Sequence, residues 1–197
     1  MGGVGGRKSL TAGTNLPNGA IIHYFIPNFD KDNDQVMLSI HSADGNLIKE
    51  FSNKSKENSL KVKNGGNSFV WNMKYPGAKR LDNMVLWGAD FSGAKAVPGD
   101  YIVKLKVNDT EMTQEFTIHK DPTSEGSIDD IKAQFDFVNE INGVVDRAHT
   151  AIENIRNMKR DLKKFQSDYA DNDSAKDLIE ESKSIVECID KIENELY

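Results

Sequence analysis

Between residues 20 and about 120, apolar and polar positions alternate in short runs separated by turn residues, a pattern typical of β-strands. The pattern predicts strands at 20–26, 35–40, 46–51, 68–74, 101–107 and 112–118, and a weaker strand at 60–63. Asp44-Gly45 predicts a tight hairpin between the second and third of them. Short strands at this spacing predict an immunoglobulin-like antiparallel β-sandwich, in which residues 79–97 form a long loop.

After Asp121-Pro122 the apolar pattern changes to that of an amphipathic helix. Ser127 is the predicted N-cap, and acidic residues in the first turn favour the helix dipole. A second helix carries an apolar row with 3-4 spacing, namely Leu178, Ser182, Ile185, Ile189, Ile192 and Leu196. Because residues 168–174 break the pattern, the two helices are predicted to form a long antiparallel hairpin. Its wide apolar face needs a further partner: the sandwich, a second copy, or chain beyond this sequence.

The predicted fold class is therefore α+β, in three segments. Residues 1–18 are a Gly-rich linker or the tail of a preceding domain, 19–122 the sandwich, and 123–197 the helical hairpin. Residues 1–126 carry a net charge of +1 and residues 127–197 a net charge of −7, together −6. Because neither part is basic, nucleic-acid binding is not expected. No apolar run approaches the ~20 residues of a membrane-spanning helix, so membrane insertion is not expected either.

No motif in the sequence supplies an active site. Asp30, Asp32 and Asp34 alternate as in a calcium loop, but Gln35 and His41 stand where such a loop needs a glycine and a bidentate glutamate. A solvated turn is the favoured interpretation, with an irregular calcium site shared with other loops as the alternative. The four histidines share no metal-ligand spacing, and no G-x-S-x-G elbow is present. We therefore predict no catalytic residues, no metal, no cofactor, and a chain that is not itself an enzyme.

Four further side chains carry specific expectations. Trp71, Tyr75 and Trp87 are the candidate ligand-binding residues, because aromatic rings exposed on a sandwich face can stack on sugar rings. A tryptophan in the middle of a sandwich strand is more often a core residue, so a core position is favoured for Trp71. Trp87 lies in the long loop at residues 79–97, which has no clear periodicity, so neither a core nor a ligand-binding position is favoured for it. The lone cysteine, Cys188, excludes an internal disulfide and is predicted to be a buried structural thiol on the second helix.

Five motifs follow one another along the chain: residues 15–22, 69–78, 96–101, 113–116 and 121–122. Their order resembles the C-terminal region of bacterial sortilin-like proteins with BNR-repeat β-propellers, which are often labelled glycosyl hydrolases. The resemblance covers about residues 15–165. It departs from the family at Asn72 and Lys74, where Asp and Arg are usual. It implies an immunoglobulin-like domain with helices that follows a propeller in an exported protein.

The resemblance thus implies a non-catalytic C-terminal accessory module of a larger protein, located in the periplasm or outside the cell. Its expected partner is the upstream β-propeller of the same polypeptide, and the helices suggest a homo-oligomer as a second kind of contact. The alternative is a carbohydrate-binding module of a glycosidase, with a glycan as its ligand. A third interpretation is an independent enzyme in which the helices cover a polar site on the sandwich.

Overall fold

The structure is a computed structural model that describes residues 15–196 except 83, 85–87 and 89. The described residues form two compact units. The first runs through Met73 and resumes over Pro98–His119, and the second comprises Lys74–Val97 and Lys120–Tyr197. The chain is α+β, with two antiparallel sheets in the first unit and two helices in the second. Most of the predicted 1–18 segment lies outside the described residues.

Six strands make up the two sheets. They are β1 (Ala20–Ile26), β2 (Val36–Ser42), β3 (Leu47–Ser52), β4 (Gly65–Trp71), β5 (Gly99–Val107) and β6 (Thr110–Ile118). One sheet pairs β1 with β4, and the other has the order β3-β2-β5-β6. Every neighbouring pair is antiparallel. The alternating patterns that predicted these strands are confirmed to within a few residues.

The core of the first unit lies between the two sheets. In β2 and β5 alternate side chains are buried, which is the period of two that a half-buried strand shows. Trp71 at the end of β4 is fully buried. Its indole ring lies 5.9 Å from the ring of Tyr101 and 6.3 Å from that of Phe116, both on the other sheet. The two sheets therefore pack face to face, as in a sandwich.

One local strand prediction was wrong, and another strand is displaced by three residues. Residues 60–63 form no strand; only an isolated bridge between Ser52 and Ser59 lies nearby. The strand predicted at 68–74 begins earlier, at Gly65, whose φ of +84° favours glycine. It also ends earlier, at Trp71, because Met73 has a φ of +57° and cannot continue the pleat.

The second unit contains α1 (Ile128–Asp168) and α2 (Lys176–Leu196), separated by a 3₁₀ turn at Asp173–Ala175. Ser127 caps α1 as predicted: its hydroxyl accepts the backbone N–H of Asp130, whose carboxylate accepts the backbone N–H of Ser127 in return. Tyr169 follows the last turn of α1. The prediction of a buried Cys188 was wrong, since the thiol side chain is exposed on α2.

Candidate interaction surface

The described residues of the 74–97 segment have little regular structure, yet several of them pack on α1. Lys79 makes three polar contacts with one side of the helix. Its backbone N–H donates to Asp146, its ammonium group pairs with Glu153, and its carbonyl accepts the Nδ1–H of the buried His149. A backbone carbonyl can only accept, so this contact fixes the Nδ1–H tautomer of His149.

Aromatic contacts strengthen the same attachment and extend it toward the N-terminus of α1. The ring of Tyr75 meets that of Phe135 edge-on, with centroids 4.8 Å apart. The ring of Phe91 lies 5.8 Å from the imidazole of His149. The guanidinium of Arg80 lies 5.9 Å from the centre of the Phe91 ring. This side of α1 is therefore occupied by residues of the same chain.

Further along α1, a second side contacts α2. Glu193 accepts from Arg156 Nε and from Lys159 Nζ, each at 2.8 Å, and Lys159 also pairs with Asp190. These hydrogen bonds from the two cations hold the pKa of Glu193 below its ordinary value. The carboxylates of Asp190 and Glu193 raise the pKa of Lys159 in turn. Glu193 and Lys159 are therefore both ionised at neutral pH.

Apolar and hydroxyl groups complete the contact between the helices. Ile152 of α1 and Ile189 of α2 are buried. Gln166 Nε2 donates to the Ser182 hydroxyl over 2.9 Å, and that hydroxyl donates to the Ile179 carbonyl over 2.7 Å. Ser182 is thus a buried polar residue whose hydrogen bonds are satisfied within the contact.

A third side of α1 is apolar and largely uncovered. We call the following residues the α1 stripe: Phe137, Ile141, Val144, Ala148, Ala151, Ile155 and Met158. Their spacing alternates between four and three residues, which keeps them on one face of a helix. Phe137 is 62% exposed, Ile141 46%, Val144 52% and Met158 52%. Polar residues would ordinarily occupy such positions on a helix facing only water.

A matching row runs along α2. Leu178, Ile185 and Ile192 recur every seven residues, and all three are exposed; we call them the α2 flank. The sequence grouped them with Ser182 and Ile189 in one row, but only those last two residues are buried. The row in fact divides into a buried part and an exposed part. The sequence analysis had assigned no role to Phe137 and Val144, although their 4-3 spacing with Ile141 was the available signal.

Two of the three predicted ligand-binding aromatics, Trp71 and Tyr75, lie among the described residues. The indole of Trp71 is fully buried and presents no face to solvent. Tyr75 is half-buried against Phe135. Trp87 lies outside the described residues. An aromatic ring that does face solvent is Phe25 on β1, which the sequence analysis did not single out.

Phe25 belongs to a shallow open groove of about 560 Å³ on the β1–β4 sheet. The groove is lined by His23, Tyr24, Phe25, Lys63, Gly66, Asn67 and Ser68. Phe25 is paired in register with Gly66, so no side chain stands opposite its ring. The hydroxyl of Tyr24 is buried without a hydrogen-bond partner among the described residues, and its burial raises the pKa of the phenol.

The acidic loop before β2 uses its carboxylates internally. Asp30 accepts the side-chain amide of Asn33 at 2.8 Å, which lowers the pKa of Asp30. Asp34 accepts the backbone N–H of Asp30 at 2.8 Å and the amide of Asn108 at 2.8 Å, and these contacts lower its pKa. Among the described residues, no group of three His, Cys, Asp or Glu side chains converges as a metal site would require.

Comparison of the chain with protein-family models, curated proteins and solved structures finds no match. Across the described part of the chain, neither helix contains an apolar window that could cross a membrane.

Proposed function

We propose that this chain is a non-catalytic interaction module, built as an immunoglobulin-like sandwich joined to an antiparallel helical hairpin. As the sequence resemblance implies, it would belong to the C-terminal region of a larger exported sortilin-like protein and act in the periplasm or outside the cell. The observation that carries the proposal is the exposed α1 stripe. A contiguous apolar row on a helix of a soluble protein marks a surface that a partner covers.

The contacts between the helices support the hairpin. Gln166 meets Ser182 close to the connecting turn, whereas Arg156 meets Glu193 farther from it on both helices. That order of contacts is the one an antiparallel pair makes. Six short antiparallel strands in two facing sheets support the immunoglobulin-like part.

The way α1 is held supports a binding role. Residues 74–97 fix one side of the helix through Lys79, and α2 fixes another through Glu193. The α1 stripe therefore sits on a helix that is already ordered. A partner that covers it does not have to order the backbone, which removes one of the main costs of association.

Methionine oxidation offers a direct test, because the chain contains a matched pair. Met158 lies in the α1 stripe and Met112 on β6, and their exposed fractions are 52% and 56%. In the dilute isolated chain, both should be oxidised by hydroxyl radicals at similar rates. In an extract of the native host, Met158 should be protected and Met112 should not. Equal rates for the two residues in the extract would contradict the proposal.

The non-catalytic part of the proposal has a separate test. Glycoside hydrolase substrates should remain intact after incubation with the isolated chain. Turnover that a single Asp→Asn or Glu→Gln substitution abolishes would reject it, because such a result requires a working carboxylate in this chain.

A carbohydrate-binding module is the second candidate, and the groove that contains Phe25 favours it. The ring of Phe25 is 66% exposed beside the exposed polar groups of Lys63 and Ser68, which is the combination of stacking face and hydrogen-bonding groups that sugars bind. Binding on a glycan array should be lost in Phe25→Ala and kept in Phe137→Ala, an equally exposed aromatic on α1. If Trp87→Ala abolishes binding instead, the binding site includes the loop that contains Trp87. Absence of binding to every glycan on the array would reject this function.

A further inference from the structure

We propose that the α1 stripe is covered by the α1 stripe of a second copy of this chain, with the two helices antiparallel and centred near Ala148. This inference rests on the proposed function and names the partner of the same surface. Four features of the helices support it: the symmetry of the stripe, the distribution of charge along α1, the end of α2 part-way along α1, and the size of the surface.

The stripe is close to symmetric about its centre. Bulky Phe137 and Ile141 lie toward one end, and bulky Ile155 and Met158 toward the other. The middle contains the small side chain of Ala148, together with Ala151. An antiparallel second copy therefore sets Phe137 against Met158 and Ile141 against Ile155 at the ends, Val144 against Ala151 nearer the middle, and Ala148 against Ala148 at the centre. Small residues at the centre let two helix axes approach closely, because the distance between helices depends on the side chains at the contact.

The distribution of charge along α1 disfavours a parallel arrangement of the two α1 helices. Residues 128–146 of α1 contain five acidic residues and one lysine, a net charge of −4. Residues 147–164 contain six basic and two acidic residues, a net charge of +4. Arg156 and Lys159 are already paired with Glu193 and Asp190 of α2, so the C-terminal half of α1 together with α2 is close to neutral. An antiparallel pair places each acidic half beside this nearly neutral part, whereas a parallel pair places the two acidic halves beside each other. Juxtaposed like charges disfavour the wrong arrangement of an interface.

The end of α2 leaves space for the second copy. Its polar contacts with α1 lie at Arg156, Lys159 and Gln166, toward the C-terminal half of α1. By those contacts, α2 reaches its end near residue 153 of α1, so the half that carries Phe137 has no α2 beside it. At 3.6 residues per turn, the α2 flank and the α1 stripe face the same side of the helix pair. In the antiparallel dimer, the free half of each α1 would lie against both helices of the other copy.

The size of the surface is adequate for a reversible dimer. From residue 137 to residue 158, α1 rises about 32 Å, and a single helix is roughly 10 Å wide. This strip of roughly 300 Å² per copy, which the α2 flank extends, is smaller than the ~800 Å² of a standard interface and falls in the class of weak, transient contacts. The dimer is therefore expected to form and dissociate with protein concentration.

Sedimentation velocity from 1 to 200 μM tests the assembly. The chain of 22.0 kDa should change from monomer to dimer over this range. Ile141→Glu should remain monomeric throughout with an unchanged circular dichroism spectrum, because the residue is exposed. Met112→Glu introduces the same charge at an equally exposed apolar position on β6 and should dimerise like the original chain. A chain that is monomeric at every concentration, or a dimer that Ile141→Glu does not dissociate, would overturn the inference.

Disulfide trapping tests the orientation. In a Cys188→Ser background, Ala148→Cys should link to itself near the dimer centre, and Phe137→Cys should link to Met158→Cys of another molecule. Phe137→Cys linking efficiently to itself would indicate a parallel pair and overturn the inference. A purified chain that stays monomeric while Met158 is protected in the host extract would reject the second copy but leave the proposed function standing. If Met158 is oxidised as fast as Met112 at every concentration of the purified chain and also in the host extract, both the second copy and the proposed function are rejected.

Discussion

The ionic network between the helices allows a quantitative prediction for Glu193→Gln. The substitution keeps the shape of the side chain and removes the charge that Arg156 and Lys159 share. Glu193 accepts two charge-assisted hydrogen bonds of 2.8 Å, and its side chain is only 16% exposed. Hydrogen bonds to charged groups are worth about 1.5–3 kcal/mol when well shielded, and exposed ion pairs about 0–1 kcal/mol. Because Arg156 is 39% exposed, we expect a loss near the lower range, about 1 kcal/mol.

That loss should appear as a shift in thermal unfolding followed at 222 nm, which reports on the helices. A unit of about 100 residues loses roughly 4 °C of melting temperature for 1 kcal/mol. Glu195→Gln is the matched control, since Glu195 is an exposed carboxylate in the same turn of α2. It removes the same charge from the same helix end and should change the melting temperature by less than about 1 °C.

The pH dependence supplies an independent check on the same residue. The folded-state pKa of Glu193 lies below its ordinary value, so the carboxylate stabilises the helices at neutral pH. That stabilisation should be lost as the pH falls from about 4.5 through the lower folded-state value. The raised pKa of Lys159 acts at the other extreme, where stabilisation is lost only as the pH rises above the ordinary lysine value. Glu193→Gln should therefore lose less stability than the original chain between pH 5 and 3. An unchanged acid slope, or an equal loss in Glu195→Gln, would refute the reasoning.

Three further substitutions test other parts of the structure. Trp71→Ala should lower the free energy of unfolding of the sheets by about 3–5 kcal/mol, measured by urea unfolding. Phe25→Ala, at an exposed ring, should lower it by less than about 1 kcal/mol. Equal losses would contradict the core position of the Trp71 indole. Gly77→Ala should reduce the melting temperature of the helical unit, because the added methyl group would overlap the backbone carbonyl of Phe91. Gly126→Ala should be tolerated, since its added methyl group meets its nearest atom at 3.9 Å. A larger loss in Gly126→Ala than in Gly77→Ala would contradict the close packing at Gly77. Ser127→Ala should cost about 1 kcal/mol of helix stability by circular dichroism, and no change would mean that the capping box is not formed in solution.

Sequence patterns predicted the elements whose causes are local. The alternation in β2 and β5 and the hydroxyl of Ser127 act within a few residues, so strand faces and the start of α1 could be read directly. Residues 60–63 show the limit of the same reasoning. Alternation there was compatible with a strand, but strand formation also needs a neighbouring strand with free hydrogen-bonding groups, and the sequence of the segment cannot supply that information.

The sequence shows which side chains on the helices are apolar, but it does not show which of them are buried. Cys188 and Ile189 are adjacent on α2, and the apolar row is wide enough for either to face α1. The choice depends on where α1 lies, which Lys159 and Glu193 determine across the contact. For the same reason no pattern in the sequence indicated that the 74–97 segment belongs with the helices. The carbonyl of Lys79 makes that contact, and every residue has a carbonyl.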